Sequence, residues 1–259
     1  MRSVPIVYSP SKAFVSRVKR KFLPLQAQRK VSFELDKPIV SFSFDDCPKS
    51  VINNGIKPLE EQGWQGTVYI ATSLCNTTNH LGLHMNESDI TALHNSGHEI
   101  GDHTFSHCDG SALPLDEVLT DIDTNQAALN ALGLPPSKTF AYPYGQATPA
   151  LKRALEPRFI GSRGIDTRNH IISADLNQIG SSRLYRGKEF NALIGQIIDL
   201  KNRPAWITIF THDIRNKPSR FGCTPEQMQA VINAVKKVEA TVMPIAKAIE
   251  FLEVNHGAV

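Results

Sequence analysis

The sequence predicts an α/β protein whose parallel sheet is closed as an irregular (β/α) barrel of about seven strands. Three observations carry this expectation. Short β-rich runs alternate with helical patterns along most of the chain, which is the signature of parallel strands joined by crossover helices. The 259 residues suit one such barrel. Clusters of chemically capable residues follow several of the strand patterns, as they do where parallel strands share one functional rim. An open, doubly wound sheet is the alternative.

The elements follow in order. PIVSFSF at 38–44 is the first strand pattern. VINNGIKPLEEQG at 51–63 has helical spacing, with Pro58 expected to kink or shorten it. GTVYIA at 66–71 is a strand, NESDITALHNS at 86–96 a capped helix, and HEIGDH at 98–103 a strand. The pattern at 115–133 reads as a helix that stops on glycine. KTFAY at 138–142 is a strand; Thr148-Pro149 opens a helix over 148–156. Two further strands are expected at 158–164 and 178–184, with no clear helix between them, which argues against a regular eightfold barrel. AWITIF at 205–210 and ATVMP at 240–244 complete the strands, and TPEQ opens a helix over 224–239 as a capping box.

The composition bounds the function. Hydrophobic residues make up 41% and charged residues 20%, as in a globular protein, and the net charge of +3 is too small to imply nucleic acid. No run approaches the ~20 apolar residues of a membrane span, and FLPL after the basic cluster at 17–21 is too short for a signal peptide. The four cysteines, Cys47, Cys75, Cys108 and Cys223, lack metal or disulfide spacing and fit a reducing compartment. The expected location is the cytoplasm, with a transit peptide as the alternative. Arg2, Lys12, Arg17, Lys19, Arg20, Lys21, Arg29 and Lys30 precede the first acidic residue, Glu34. Residues 1–34 are therefore read as a basic arm, solvated or in weak contact with an anionic membrane surface, and 35–259 as the barrel domain.

Four polar clusters follow strand patterns: Asp45-Asp46, His103–His107, Tyr142–Gly145 and Thr211–Asp213. Adjacent aspartates repel one another, and a bound cation would offset that repulsion. His103 and His107 are four apart, so one helical turn would put both on one face. Two imidazoles and one carboxylate form a catalytic type of metal site, with positions left open for water. The remaining aspartate is then available as a base, and His212 as an acid for a departing nitrogen.

FDD at 44–46, HTFSH at 103–107, AYPYG at 141–145 and ITIFTH at 207–212 resemble the ordered motifs of the NodB-like polysaccharide deacetylases, carbohydrate esterase family 4. GWQGTVYI at 63–70 and SGHEIGDH at 96–103 fit as well. The resemblance implies a distorted barrel and metal-dependent removal of N-acetyl groups from amino sugars of a polysaccharide, oligosaccharide or glycolipid. It assigns Asp45 as base, Asp46, His103 and His107 as ligands, and His212 as acid. The resemblance also implies that the backbone N–H of Tyr144, flanked by Pro143 and Gly145 in the substrate-binding turn, meets the oxyanion. Zinc suits the ligands, with Co2+, Ni2+ or Mn2+ as alternatives.

The chain departs from the family pattern in three places. Cys47 stands where many members have glycine. Ala141 stands where many have an arginine that holds the base, and Arg163, at the end of the neighbouring strand, is the candidate replacement. The aspartate that tunes the acid histidine is not recognisable; Asp166 and Asp175 are candidates by position. Tyr142 and Trp206 suit either sugar stacking or the core. His80, His84, His94, His98, His170 and His256 are read as surface or packing residues, and Cys108 as a bystander or a stray soft ligand. Other function readings are a relative that hydrolyses a small amide or formylated compound, a silent carbohydrate-binding member, and a binder acting through the basic arm.

Overall fold

The computed structural model describes residues 23–256. Eight strands form the main sheet: β1 (Ile39–Asp45), β2 (Thr67–Ile70), β3 (Glu99–Asp102), β4 (Thr139–Ala141), β5 (Gly161–Arg163), β6 (Ser182–Arg183), β7 (Trp206–Thr211) and β8 (Thr241–Val242). Seven run in the spatial order β6-β7-β1-β2-β3-β4-β5, every pairing parallel, and β8 pairs with the start of β1. The sheet curls into a distorted barrel. The expected irregularity lies between β5 and β6. A strand at Ser173–Asp175 takes the place of a crossover helix there and pairs antiparallel with Lys30–Ser32.

Helices α1 (Lys57–Glu60), α2 (Glu87–Asn95), α3 (Leu115–Ala131), α4 (Pro149–Leu155), α5 (Lys188–Asp199), α6 (Pro225–Lys237) and α7 (Ile245–His256) complete the fold. Their starts follow local chemistry. Asn86 and Asp89 cap α2 reciprocally, Thr224 and Gln227 do the same for α6, and Thr148 caps α4. Ahead of Pro58 the chain makes a π-helical turn at Ile52–Ile56, and the Lys57 N–H reaches back to the Ile52 carbonyl. The proline thus sits inside a distorted helix. Helices α5 and α7 have no counterpart in the expected elements.

Strand alternation separates two populations of side chain. Val40, Phe42, Phe44, Val68, Ile70, Ile207 and Ile209 pack outward in the largest apolar cluster. The opposite face of β1 carries Ile39, Ser41, Ser43 and Asp45 into the barrel. There Trp206 donates its indole N–H to Ser41 Oγ at 3.1 Å, and Ser43 Oγ donates to the Ile209 carbonyl at 3.0 Å. Trp206 and Tyr142 are both buried core residues, so neither is a sugar platform.

The expected basic arm divides. Arg2, Lys12, Arg17, Lys19, Arg20 and Lys21 lie outside the described residues. Residues 23–34 make contacts with the barrel body. Leu23 is buried, and Arg29 donates to the carbonyls of Phe159 and Ile160 at 3.1 and 2.6 Å. Buried Lys152 donates to the Gln26 carbonyl at 2.7 Å and to Asp175 Oδ2 at 3.1 Å. No helix among the described residues is long and apolar enough to cross a membrane.

His170 packs against Trp206 inside the barrel, with Nε2 3.1 Å from the Gly180 carbonyl. Burial lowers its pKa to about 4. The unfolded chain takes up a proton there near pH 6.5 and the folded chain does not. Stability contributed by neutral His170 is therefore complete above pH 6.5. It falls as pH drops to about 4, by up to about 3 kcal/mol. Urea denaturation of wild type and His170→Gln at pH 7 and pH 4.5 should show a smaller acid loss in the variant. Equal losses would mean that other groups control acid stability.

Candidate metal and active site

The candidate residues gather at the C-terminal rim of the parallel strands. Asp45 ends β1 and continues its inward face, so it stands inside the barrel, 3% exposed. Asp46 and Cys47 then turn the chain with φ of 63° and 50°. This left-handed conformation favours glycine, which explains glycine after the paired aspartates in related motifs and makes Cys47 a strained substitute.

His103 follows β3, and its Nδ1 lies 2.7 Å from the Ala141 carbonyl. A carbonyl can only accept, so Nδ1 carries the hydrogen and Nε2 keeps its lone pair for a metal. Contrary to the expected helical turn, residues 103–107 form an irregular loop with Thr104 and His107 at φ of 60° and 56°. The loop still brings the two rings together, with centroids 4.8 Å apart. Asp46 Oδ1 lies 3.3 Å from His103 Nε2 and 3.0 Å from His107 Nε2. The three ligand atoms all lie within 4.8 Å of one another.

This donor set fits a divalent cation. Asp46 Oδ1 is buried without a hydrogen-bond partner among the described residues. Burial raises the Asp46 pKa, but the charge of His107 and the close approach of both imidazoles outweigh it, and the carboxyl is held well below its usual range. Cys108 is no part of the cluster; burial pushes its thiol up to about 11, with Asp121 adding to the shift.

Arg163 ends β5 and is fully buried. Its Nη2 donates to Asp45 Oδ2 at 2.5 Å, and Nη1 donates to the Gly164 carbonyl at 3.0 Å. The guanidinium lies 4.7 Å from the Phe210 ring centroid and 5.2 Å from that of Tyr69. Asp45 Oδ1 has no hydrogen-bond partner among the described residues. One oxygen of this carboxylate is thus held and the other is available.

Pro143–Gly145 form a tight turn after β4, with Tyr144 at φ 57°. The Tyr144 ring meets His107 edge to face at 4.4 Å, and burial raises its phenol to about 12. Gly145 is at φ +67°, and a Cβ there would come within 2.2 Å of the Ile165 side chain, so this turn requires glycine. His212 follows β7. Its Nδ1 is 3.1 Å from the Phe221 carbonyl, and its Nε2 is 3.9 Å from Asp46 Oδ2.

Neither aspartate proposed to tune His212 does so. Asp166 accepts from Gln178, and Asp175 serves Lys152 and the Arg29 backbone. A backbone carbonyl, invisible as a motif, takes that position.

Sequence reasoning missed two sets of neighbours. Asp102, on the outward face of β3, accepts from the Thr104 N–H at 2.8 Å, Asn125 at 3.0 Å and Gln126 at 2.5 Å. Burial raises its carboxyl to about 6. It ties the histidine loop to α3, and its position directly before His103 was the available signal. The second set is aromatic: Tyr185, Phe210 and Phe221 lie 5.9, 6.1 and 5.6 Å from the His212 ring. His80, expected to follow no rim pattern, packs on Phe221 at 6.1 Å.

A parallel barrel with two histidines and two aspartates on its rim has the makings of a metal hydrolase. A family model described as polysaccharide deacetylase matches residues 33–157. Just under half of the chain is therefore similar to the polysaccharide deacetylases. The matched region contains Asp45, Asp46, His103, His107 and the 141–145 turn; Arg163 and His212 lie beyond it. No curated protein matches the chain.

Among solved structures, it is similar to the chitin deacetylase of Colletotrichum lindemuthianum, with 14% identity, 83% of this chain and 89% of that chain covered, and a TM-score of 0.59. It is also similar to a family 4 acetyl xylan esterase from Clostridium thermocellum in complex with a cobalt ion, with 20% identity, 85% and 93% covered, and a TM-score of 0.59. A third likeness is to a family 4 pseudoenzyme from Bacillus anthracis, with 12% identity, 83% and 66% covered, and a TM-score of 0.56. At these identities the likeness is one of fold.

Arg163 and Asp45 form a buried ion pair, with side chains 0% and 4% exposed. Arg163→Met should strand a buried carboxylate and cost about 3–5 kcal/mol. The double variant Asp45→Asn/Arg163→Met should recover part of that loss. Urea denaturation measures both, and an Arg163→Met protein as stable as wild type would contradict this account.

Proposed function

We propose that this chain removes N-acetyl groups from an amino sugar of a polysaccharide, oligosaccharide or glycolipid by metal-dependent hydrolysis. The observation that supports it best is the convergence of separate strand ends on Asp46, with His103, His107 and His212 around it and Asp45 alongside, held by Arg163.

Asp46, His103 and His107 would hold the divalent cation, with zinc the first choice for this donor set and Co2+, Ni2+ or Mn2+ as alternatives. When bound, such an ion polarises the amide carbonyl and acidifies water. Asp45 accepts the proton of the attacking water through Oδ1, while Arg163 fixes the opposite oxygen. The Tyr144 backbone N–H donates to the oxygen that gains negative charge, and the Pro143–Gly145 turn holds it in place. His212 keeps its Nδ1 hydrogen on the Phe221 carbonyl, so the proton for the departing nitrogen is carried on Nε2.

The intact base, ligand set and acid weigh against a silent carbohydrate-binding protein. A substrate panel that sets N-acetylglucosamine oligomers beside small amides and formylated amines decides between saccharide and small-molecule substrates.

The two aspartates should respond differently to substitution. Asp46→Asn should lose metal and activity together. Asp45→Asn should keep metal while turnover slows by about 10²–10⁴-fold. His212→Ala should also keep metal, with the greatest loss on amides that have poor leaving groups. Elemental analysis beside turnover of an acetylated oligosaccharide checks these roles; metal lost in Asp45→Asn and kept in Asp46→Asn would reverse them.

The cysteines should be dispensable for the metal. Cys47→Ser and Cys108→Ser should each bind one equivalent and retain most activity. Loss of metal in Cys108→Ser would make that sulfur a ligand.

A further inference from the structure

Two arginines stand on the rim with no carboxylate opposite them. Arg183 ends β6, half-buried, with its guanidinium 6.0 Å from the Phe210 ring centroid. Arg220, in the loop after β7, lies over the Phe221 ring at 4.5 Å. Phe210 and Phe221 in turn flank the His212 ring at 6.1 and 5.6 Å. Each guanidinium is therefore one aromatic ring away from the histidine at the reacting centre.

Three of the described arginines make ion pairs. Arg158 pairs with Asp123, Arg163 with Asp45 and Arg215 with Asp213. Among the described residues, neither Arg183 nor Arg220 makes an ion pair; the contact of Arg183 with Thr167 Oγ1, at 3.4 Å, is long and uncharged. The carboxylates nearest the site are already engaged. Asp45 is held by Arg163, Asp46 is set against His103 and His107, and Asp213 accepts from Arg215 and Ser219. These carboxylates therefore form no ion pair with Arg183 or Arg220. Stacking on a ring restricts a guanidinium to a plane and leaves its N–H edge available for oxygen acceptors.

We propose that Arg183 and Arg220 form an anion subsite beside His212, and that the amino sugar acted on by this chain carries a carboxylate or phosphate group. The proposal rests on the deacetylase reading for its substrate, but the subsite itself is defined by charge and geometry. A neutral glucosamine polymer leaves both guanidinium edges with water; an acidic sugar gives them two-pronged, charge-assisted hydrogen bonds.

Isothermal titration calorimetry of the metal-loaded full chain tests it without relying on turnover. The probes are chitotetraose as the neutral sugar, the N-acetylglucosaminyl-N-acetylmuramic acid disaccharide as the carboxylate, and N-acetylglucosamine 6-phosphate as the phosphate. At least one acidic sugar should bind about tenfold or more tightly than the neutral one, the weight of one partly exposed charge-assisted contact. That advantage should shrink in 0.5 M salt, on the order of the screening expected at that strength. Arg183→Gln and Arg220→Gln should each reduce the ratio of acidic to neutral affinity, and Arg183→Lys should restore part of it. Whichever acid binds better identifies the group.

Equal binding of neutral and acidic sugars, or an unchanged ratio in the Arg183→Gln/Arg220→Gln double variant, would overturn the subsite. Selective binding of acidic sugars without deacetylation of any of them would leave the subsite standing and overturn the deacetylase reading instead.

Discussion

The ion pair between Arg163 and Asp45 is the contact around which the barrel interior is organised. A guanidinium and a carboxylate, each almost without exposure, are costly to bury unless they meet each other and satisfy their remaining hydrogen bonds. The sequence of β1 makes room for this. Ser41 and Ser43 are small inward residues below Asp45, and the space they leave is taken by Trp206 and by Arg163 with its two flanking rings. On β3, Gly101 yields to the Tyr69 ring, which would come within 2.4 Å of any added Cβ. The proposed base is therefore held by the same packing that fills the barrel, and a change in one disturbs the other.

The outer face contributes equally to the site. Residue 102 points toward α3 and residue 103 toward the barrel, because successive side chains of a strand alternate. Asp102 anchors the loop to Asn125 and Gln126, while His103 is oriented by the Ala141 carbonyl. One short strand thus couples the helix layer to the ligand set. Five of the eight described non-glycine residues at positive φ, Asp46, Cys47, Thr104, His107 and Tyr144, lie on this rim. Each costs about 1–2 kcal/mol relative to an ordinary conformation. Concentration of such strain where side chains must converge is expected of a functional site, since the surrounding hydrogen bonds hold the loops against it.

The ring of aromatic residues around His212 has a different origin. It is assembled by the excursion from Asp213 to Cys223, which leaves the rim and returns. Asp213 closes it by accepting from Ser219 and Arg215, and the Cys223 N–H binds the Asp213 carbonyl at 3.1 Å. Gly222 permits the close return, because a Cβ there would lie 2.1 Å from the Asp213 carbonyl oxygen. Phe221 and its carbonyl are thereby delivered to His212 from outside the barrel.

The sequence by itself determined the parallel alternation, the distorted barrel, the strand order of the rim clusters and the residues expected at the candidate metal site. Those features are local: periodicity, capping residues and motifs are written in neighbouring positions, and a strand's last residues point to its rim whatever surrounds them. It also pointed to Arg163, through the arginine that the family pattern has at position 141 and through strand adjacency. Only the tertiary structure decided the rest. The histidine pair is brought together by a strained loop and not by a helical turn, because the loop's N–H groups are held by Asp102 beside it and by Asp121 from the following helix. His212 is oriented by the carbonyl of Phe221, an atom every residue possesses and no motif can mark. Residues 23–34 make contacts with the barrel body because Asp175, Lys152 and Ile160, more than a hundred positions away, supply their partners. Contacts of that range depend on chain closure, which no local pattern encodes.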